Sequence, residues 1–308
     1  MSFEDKNYFL AKKKYLNFLR KQEILGEPFY DKIGQFNNFY IPITNNIYKN
    51  FKKKKDTLVI GLSGGQGSGK STIAKILKFI IKLRFNLNII NFSIDDYYKT
   101  LKDRKKMSKK FNQLFLTRGV PGTHDTKLLL SHLKKFKRGK FNRIKIPQFD
   151  KSKDDRIKKT KWKSVSKKQD IIIFEGWCIG AKAQKKNNLK KPINILEKKS
   201  DINLTWRTKV NNELKVKYNK IFKLIDLMIF LKVPSFKYVF KWRLLQEKKL
   251  KARSKGKKTM NNIQIKKFIM FYERITKNMM RDFSKISDLT VFLDKSHRSK
   301  KMNFYNNV

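Results

Sequence analysis

Short runs of apolar residues alternate along the chain with segments in which apolar residues recur every three or four positions. Residues 57–62 are β-branched and apolar, which is typical of a strand buried on both faces. In the segment that follows, the apolar residues share one helical face: Ile73, Ile76, Leu77, Ile80 and Ile81. The same patterns predict strands at 88–94, 171–174, 227–231 and 289–293, and helices at 128–136, 234–250 and 263–280.

Strands that alternate with helices predict an α/β fold with a mostly parallel sheet covered on both faces. Residues 1–45 are predicted to form a helical leader, because apolar pairs recur at helical spacing and stop before Gly26 and Pro28. Residues 46–308 then form one larger domain. The Lys- and Ser-rich stretches 100–110, 151–169 and 251–262 have no apolar period, so we predict loops or a mobile lid there.

A glycine-rich motif follows the first predicted strand. It comprises Gly64, Gly65, Gln66, Gly67, Ser68, Gly69, Lys70, Ser71 and Thr72. Its Gly-x-x-x-x-Gly-Lys-Ser pattern is that of a P-loop, and it lies between a strand and an apolar-faced helix as a P-loop must. Glycines let backbone N–H groups turn toward phosphates, Lys70 reaches the β- and γ-phosphates, and the Ser71 hydroxyl holds Mg²⁺. The motif therefore predicts a site for ATP with Mg²⁺.

Other interpretations of the same stretch are weaker. A glycine turn without a ligand is the simplest of them. Residues 61–65 also satisfy the Gly-x-Ser-x-Gly pattern of hydrolases, in which Ser63 would need a downstream acid and then a histidine such as His297. A complete P-loop one residue away favours a turn function for Ser63. A dinucleotide fingerprint is not matched, because Lys70 stands where that motif requires a small residue.

Carboxylates follow two of the predicted strands. Asp95 and Asp96 come after the strand at 88–94, and Glu175 comes after the strand at 171–174. Parallel strands place their carboxyl ends at one edge of the sheet, so we expect these acids beside the P-loop. Asp95 is then suited to accept the proton of an attacking hydroxyl, and Glu175 to act with Ser71 at the Mg²⁺ site. Asp96 is the weaker catalytic candidate, because a helix cap is its simpler explanation.

The amino-acid composition says less about the function of the protein than the motifs do. The 308 residues contain 76 Lys and Arg against 24 Asp and Glu, a formal charge of +52, with 40% hydrophobic residues. The basic residues are mostly lysines spread over the whole chain, so we expect a solvated surface and no specific nucleic-acid partner. One cysteine excludes a disulfide framework, and without a long apolar run or signal-like N-terminus we expect a cytoplasmic protein with no membrane association. Nothing in the sequence indicates the oligomeric state.

Further motifs resemble the D-glycerate 3-kinases of plants and cyanobacteria and their fungal kinase-like relatives, within the phosphoribulokinase, uridine kinase and pantothenate kinase superfamily. The resemblance covers roughly residues 40 to 300. It rests on Ser93-Ile-Asp-Asp-Tyr-Tyr98, Arg118-Gly-Val-Pro-Gly-Thr-His-Asp125, Ile146-Pro-Gln-Phe-Asp-Lys-Ser152, Phe174-Glu-Gly-Trp177, Trp242-Arg-Leu-Leu-Gln-Glu247 and Phe292-Leu-Asp-Lys-Ser-His-Arg298. The run from Arg118 to Asp125 is much more specific than the P-loop.

The resemblance implies a P-loop NTPase-type three-layer fold with a helical lid, and a kinase that phosphorylates a hydroxyl of D-glycerate. It implies that Asp95 is the general base and that four residues lie near the acceptor: Arg118, His124, Asp125 and Lys151. Lys70 and Mg²⁺ would stabilise the charge on the transferring phosphoryl group. Another small alcohol, nucleoside-like or pantothenate-like, is the alternative acceptor, and a basic protein that binds ATP and nucleic acid is the non-enzyme alternative.

Two segments depart from the family pattern. The family usually places glycines between its Asp-Lys-Ser and a following Gly-Asp-Arg, whereas this chain has the shortened segment Asp150-Lys-Ser-Lys-Asp-Asp-Arg156. The predicted lid around Arg243 and Arg253 lacks the acidic residue that often follows the family's methionine. Both departures bear on the identity of the acceptor more than on kinase activity.

Overall fold

The computed structural model describes residues 3–24, 26–54, 56–253 and 260–305, which form an α/β fold. Ten strands are present in these residues. They are β1 (Leu58–Gly64), β2 (Ile89–Ser93), β3 (Ile144–Ile146), β4 (Phe149–Asp150), β5 (Asp155–Arg156), β6 (Lys163–Val165), β7 (Ile171–Gly176), β8 (Leu227–Lys232), β9 (Leu289–Leu293) and β10 (Ser299–Phe304).

Six of these strands form the central sheet, in the order β10-β9-β8-β1-β7-β2. All neighbours in it are parallel except β9 and β10, which pair antiparallel. The mostly parallel sheet and its five parallel strands are thus as predicted. Strand β10 was not predicted, because its Lys-rich edge lacks an apolar run and it is defined by pairing with β9. The pairs β3–β6 and β4–β5 form two small antiparallel sheets, also absent from the prediction.

Twelve α-helical segments surround the sheet in the described residues. They are α1 (Phe3–Arg20), α2 (Lys32–Gln35), α3 (Ile41–Lys54), α4 (Lys70–Phe85), α5 (Leu101–Lys110), α6 (Thr126–Arg138), α7 (Asn187–Lys190), α8 (Ile195–Ser200), α9 (Thr205–Glu213), α10 (Asn219–Phe222), α11 (Phe236–Arg253) and α12 (Asn262–Arg281). Helices α4, α6, α11 and α12 match predicted helices. None of the helices within the described residues has both the length and the hydrophobicity needed to span a membrane.

Alternate residues of the central strands enter different cores. Val59 of β1 and Phe174 of β7 belong to the cluster on the face that also receives α6 and α9. Ile60 of β1 and Ile173 of β7 belong to the cluster on the opposite face, with α4 and parts of α11 and α12. Because each strand is buried on both sides, its residues are apolar without interruption, which is the pattern that made these strands predictable.

The first helix packs on the helix that follows the P-loop. Ala11, Tyr15 and Leu19 of α1 form a small core with Ile76 and Ile80 of α4. The predicted boundary between residues 45 and 46 falls inside α3, so the leader and the larger domain share one continuous helix. The division into two domains stays a prediction.

One predicted loop is wrong. Residues 101–110 form helix α5, which begins at Thr100, whose hydroxyl accepts a hydrogen bond from the Asp103 backbone. Its buried residue is Arg104 rather than an apolar one, so the helix has no hydrophobic period to detect. In 151–169 the structure has β5, one 3₁₀ turn and β6, and irregular chain elsewhere. In the predicted loop at 251–262, residues 251–253 end α11 and Asn262 begins α12, whereas residues 254–259 and the side chain of Arg253 lie outside the described residues.

Candidate active site

Glycines shape the turn between β1 and α4. Gly67 and Gly69 have φ angles of 78° and 84°, in the left-handed region that glycine enters at little cost. A Cβ atom on Gly67 would lie 2.8 Å from Cβ of Trp242, so a side chain does not fit there. The turn ends at the first residues of α4, where free N–H groups and the helix dipole favour an anion. All nine residues predicted to bind the nucleotide lie on this turn or at its two ends.

Lys70 begins α4 and folds back over the turn. Its ammonium group donates hydrogen bonds to the carbonyls of Gly64 and Gly65, both at 2.9 Å. Burial lowers the pKa of Lys70, and the nearby carboxylates of Glu175 and Asp95 counteract that shift. The lysine therefore stands where the turn, the edge of β7 and the loop after β2 meet.

Two side chains of the turn are buried without a hydrogen-bond partner among the described residues. They are Gln66, through both Nε2 and Oε1, and Ser68, through Oγ. A buried polar group left unpaired costs about 1–3 kcal/mol. Two of these atoms, Nε2 of Gln66 and Oγ of Ser68, are donors beside a left-handed glycine turn and a helix N-terminus, so they fit a ligand that brings many acceptors, such as a triphosphate.

Ser71 and Glu175 lie together, as predicted for a metal site. The Ser71 hydroxyl donates to Oε1 of Glu175 at 2.7 Å, because β1 and β7 pair in parallel with Leu62 opposite Glu175. Burial raises the pKa of Glu175, while Lys70 and the Ser71 hydroxyl act in the opposite direction. A hydroxyl beside a carboxylate is the hard-oxygen ligand set that Mg²⁺ prefers. Among the described residues no three His, Cys, Asp or Glu side chains gather into a metal cluster.

In the loop after β2, Asp95 lies at the candidate site, whereas the side chain of Asp96 makes its hydrogen bond within the loop itself. The Ser93 hydroxyl accepts from the Asp95 backbone, and Oδ2 of Asp96 accepts from the Ser93 backbone at 3.0 Å. Together these bonds form a capping box on the 3₁₀ turn Ile94–Tyr97. Burial raises the pKa of Asp96 to about 6, although the Ser93 N–H lowers it. Asp96 thus has the capping role that was its simpler explanation.

Asp95 carries two strong contacts. The Tyr98 hydroxyl donates to Oδ1 at 2.8 Å, and the Lys151 ammonium donates to Oδ2 at 2.9 Å. Burial alone would raise the pKa of Asp95, but the charge and hydrogen bond of Lys151, with a smaller effect of Tyr98, hold it at about 2. The carboxylate is therefore ionised throughout the physiological pH range, which is the form able to accept a proton.

Arg118 lies on the same side of the site as Lys151. One of its guanidinium nitrogens donates to the Lys151 carbonyl at 3.4 Å, and its own carbonyl accepts from the Tyr272 hydroxyl at 3.3 Å. Its guanidinium also pairs with the carboxylate of Asp154. The structure thus brings Arg118, Lys151 and Asp95 together across three separate segments of the sequence.

His124 is buried against the ring of Tyr98. The two rings stack with centroids 4.5 Å apart, and Nδ1 of His124 lies 2.6 Å from the Tyr218 hydroxyl. That hydroxyl already accepts from the Gly122 backbone N–H at 3.0 Å, so its proton is available for Nδ1. Burial lowers the pKa of His124 to about 3. The neutral ring then carries its proton on Nε2, which is buried with no partner among the described residues.

Asp125 lies next to His124 but has local partners. Its Oδ1 accepts from the Leu128 backbone at 3.1 Å and begins α6, and its Oδ2 accepts from Arg156 at 3.3 Å. Arg156 in turn donates to the carbonyls of Tyr97 and Tyr98. Asp125 therefore supports the loop that carries Asp95, and direct contact of Asp125 with an acceptor stays a prediction.

The geometry does not favour the hydrolase interpretation. Ser63 is buried, and its hydroxyl donates to the Trp177 carbonyl at 3.3 Å. The histidine that interpretation needs, His297, contacts the P-loop instead: its Nε2 lies 2.9 Å from the Gly67 carbonyl, and its ring is 3.9 Å from that of Trp242. The predicted turn function of Ser63 is also wrong, because Ser63 lies inside strand β1, directly before the P-loop turn.

Several residues of the site escaped the sequence analysis. They are Tyr98, Arg104, Asp154, Arg156, Tyr218 and Tyr272. Tyr98, Asp154 and Arg156 do stand inside quoted segments, so their neighbours offered a signal. Arg104 lies in a lysine-rich stretch predicted as a loop, and no local pattern marks Tyr218 or Tyr272.

Comparison with known proteins shows that this chain is similar to kinases. The model of the Phosphoribulokinase / Uridine kinase family matches residues 59–215. An uncharacterized kinase, mug58 of Schizosaccharomyces pombe, is 35% identical over 222 residues, which are 70% of this chain and 78% of that protein. The chloroplastic D-glycerate 3-kinase of Arabidopsis thaliana is 30% identical over 76% of this chain, which spans about half (52%) of that enzyme.

A solved structure shows the same fold. The D-glycerate 3-kinase from Cryptococcus neoformans superimposes with a TM-score of 0.73 at 24% identity, covering 86% of this chain and 99% of that one. At that identity the likeness concerns the architecture alone.

Proposed function

Because the chain belongs to the phosphoribulokinase/uridine kinase family and is an ATP-dependent phosphotransferase, we propose that it transfers the γ-phosphoryl group of ATP to a hydroxyl of D-glycerate. The observation that carries the proposal is the chain of contacts from Arg118 to Lys151 and from Lys151 to Asp95, close enough to Lys70 for the charge of Asp95 to act on it. The similarity to the plant D-glycerate 3-kinase supports this choice of acceptor.

In this proposal the P-loop holds the triphosphate. The glycine turn offers its N–H groups, Lys70 exchanges the carbonyls of Gly64 and Gly65 for phosphate oxygens, and the donors Nε2 of Gln66 and Oγ of Ser68 gain acceptors. Bound Mg²⁺ neutralises phosphate charge, and Ser71 and Glu175 are the side chains that would hold it.

Asp95 is the proposed proton acceptor. Its low pKa makes it a weak base, which suits phosphoryl transfer, since the hydroxyl becomes strongly acidic only as the new bond forms. Before that point the carboxylate aligns the hydroxyl by accepting its hydrogen bond. Tyr98 fixes one oxygen of Asp95 and Lys151 the other, so the acceptor hydroxyl takes the place of the Lys151 contact or shares it.

The remaining groups recognise the acid part of the acceptor. Arg118 offers planar N–H donors that match a carboxylate, and the Lys151 ammonium adds a second positive charge. The proton on Nε2 of His124 is a neutral donor for a hydroxyl or carboxylate oxygen. Glycerate has one carboxylate and two hydroxyls, which are the groups that such a set can bind.

The test is an acceptor screen with the full chain. ATP, Mg²⁺ and one acceptor at a time are incubated with the protein: D-glycerate, L-glycerate, glycerol, uridine or pantothenate. ADP formation is measured, and the product is identified by mass spectrometry and phosphorus NMR. Phosphorylation of D-glycerate with the highest kcat/KM supports the proposal. If D-glycerate were not phosphorylated and uridine or pantothenate were, the proposed acceptor would be wrong, but the assignment as a kinase would stand.

A further inference from the structure

The carboxylate of Asp154 lies between two guanidinium groups. It pairs with Arg118 and with Nη2 of Arg104, the latter at 3.0 Å. The guanidinium carbons of both arginines also lie over the ring of Phe149, at 5.8 Å for Arg104 and 5.3 Å for Arg118. The Asp154 carboxylate therefore offsets the positive charge of Arg118, which faces the proposed acceptor site.

Asp154 is held rigidly in this position. The side chain of Arg104 is fully buried and donates to the carbonyls of Leu116 and Asp154. The backbone of Asp154 has a φ of 54°, in the left-handed region that few residues other than glycine, asparagine and aspartate adopt. Because both the backbone and the buried arginine fix it, the Asp154 carboxylate stays beside Arg118 without a ligand.

The ion pairs of this region reduce the positive charge at the proposed acceptor site. The two cations proposed to bind the acceptor carboxylate are Arg118 and Lys151, and the first is paired with Asp154 while the second is paired with Asp95. An acid entering the site must take Arg118 from Asp154 or bear the repulsion of its charge. A neutral alcohol meets no such competition.

We propose that Asp154 is a specificity-determining residue whose carboxylate competes with the carboxylate of the acceptor for Arg118, and this inference rests on the proposed acceptor site. Asp154 thereby limits the affinity for small acids and narrows the preference for anionic over neutral acceptors. Its side chain is 39% exposed and that of Arg118 is 23% exposed, so the pair is accessible enough to exchange partners.

The test replaces Asp154 with asparagine. Asn keeps an oxygen for Arg104 but removes the charge from Arg118. We expect Asp154→Asn to lower the KM for D-glycerate about fivefold, as the loss of one competing, partly exposed ion pair implies. The KM for the neutral analogue glyceramide should change little. A matched control is Asp103→Asn on α5, which removes an acid bonded to Thr100 rather than to an arginine. It should not alter the ratio of the two KM values.

Each outcome decides the question. An equal change in both KM values, or a rise in the KM for D-glycerate, would overturn the proposal and make Asp154 a support for Arg118. If the wild-type chain does not phosphorylate D-glycerate, the proposed function fails. Calorimetry with D-glycerate, Mg²⁺ and a non-hydrolysable ATP analogue then decides on Asp154: tighter binding by the variant supports competition, and equal, weaker or absent binding contradicts it.

A second variant guards against a folding defect. Asp154→Gly suits the left-handed backbone at this position and also removes the charge. If Asp154→Asn fails to fold by thermal unfolding, the same ratio of KM values is measured for Asp154→Gly. Failure of both variants to fold would show that Asp154 is needed for structure alone and would end the proposal.

Discussion

The ammonium of Lys151 donates to Oδ2 of Asp95 at 2.9 Å, although 56 residues separate the two in sequence. The contact joins the short segment that connects β4 and β5 to the loop after β2. It keeps the carboxylate ionised and marks the place where an acceptor hydroxyl would approach it.

Removing the charge of Asp95 should remove catalysis. We expect Asp95→Asn to lower kcat about 10³-fold, since an amide cannot accept the proton, while ATP binding persists. Steady-state rates and calorimetric titration with ATP measure the two effects. The control is Asp96→Asn, which weakens the cap on Ser93 and should lower the free energy of unfolding by about 1 kcal/mol with most activity kept. If instead Asp96→Asn abolished turnover and Asp95→Asn did not, the assignment of the base would be reversed.

Removing Lys151 should move the acid limb of the pH profile. In the wild type the pKa of Asp95 is held at about 2, so protonation of Asp95 does not limit activity above pH 4. In Lys151→Met the burial of Asp95 is no longer opposed by the cation, its pKa rises, and the acid loss of kcat/KM should appear at a higher pH. Profiles measured from pH 4 to pH 9 would reveal it.

The matched control for that profile is Lys153→Met. Lys153 is exposed in the same loop, and no side-chain contact joins it to Asp95 among the described interactions. Equal profiles for Lys151→Met and the wild type would mean that the Lys151 contact does not set the ionisation of Asp95.

Glu175 should govern the requirement for Mg²⁺. We expect Glu175→Gln to raise the Mg²⁺ concentration for half-maximal activity about tenfold, because the carboxylate holds Ser71 and would orient a bound metal or its water. Activity titrated against free Mg²⁺ at saturating ATP is the measurement. Glu23→Gln, at a surface carboxylate paired with Lys32, is the control. A Glu175→Gln variant with unchanged Mg²⁺ dependence would remove this residue from the metal site.

Gly26 and Gly67 have nearly the same φ angle. Alanine substitutions at the two positions therefore distinguish the cost of backbone strain from the cost of a steric clash. Gly67 has a φ of 78° and Trp242 lies in the path of its Cβ, whereas Gly26 has a φ of 77° and no atom of the described residues within 4 Å of its Cβ beyond its chain neighbours. We expect alanine to cost about 1–2 kcal/mol at Gly26 from the left-handed backbone alone. At Gly67 the contact with Trp242 should add about 1–3 kcal/mol, and ATP binding should weaken. Chemical denaturation compares the variants, and equal costs would mean that Trp242 moves aside freely.

The sequence was informative where local pattern and chemistry coincide. Strands such as β1 and β7 are buried on both faces, so their apolar runs are uninterrupted. The P-loop requires glycines and a lysine at fixed spacing, so it is visible without a structure. Helix α5 and strand β10 were missed for the opposite reason: α5 buries an arginine, and β10 is a basic edge strand defined by its partner.

The position of Asp95 beside the P-loop followed from the parallel order of the strands, because the carboxyl ends of parallel strands share one edge. The contacts around the Asp95 carboxylate did not follow from the order of the strands. Tyr98, Lys151 and His124 were placed in motifs. The hydrogen bond of Lys151 to Asp95, the stacking of His124 on Tyr98 and the hydrogen bond of His124 to Tyr218 arise only when separate segments pack together.

What the sequence determined by itself was the type of fold, the nucleotide-binding turn and the acid that follows β2, since each depends on residues close together in the chain. What only the tertiary structure decided was the charge around the proposed acceptor site. The pairing of Arg118 with Asp154, and of Asp154 with the buried Arg104, depends on distances between separate segments. Electrostatic energy falls with distance and with exposure to water, and neither quantity can be calculated from the order of residues alone.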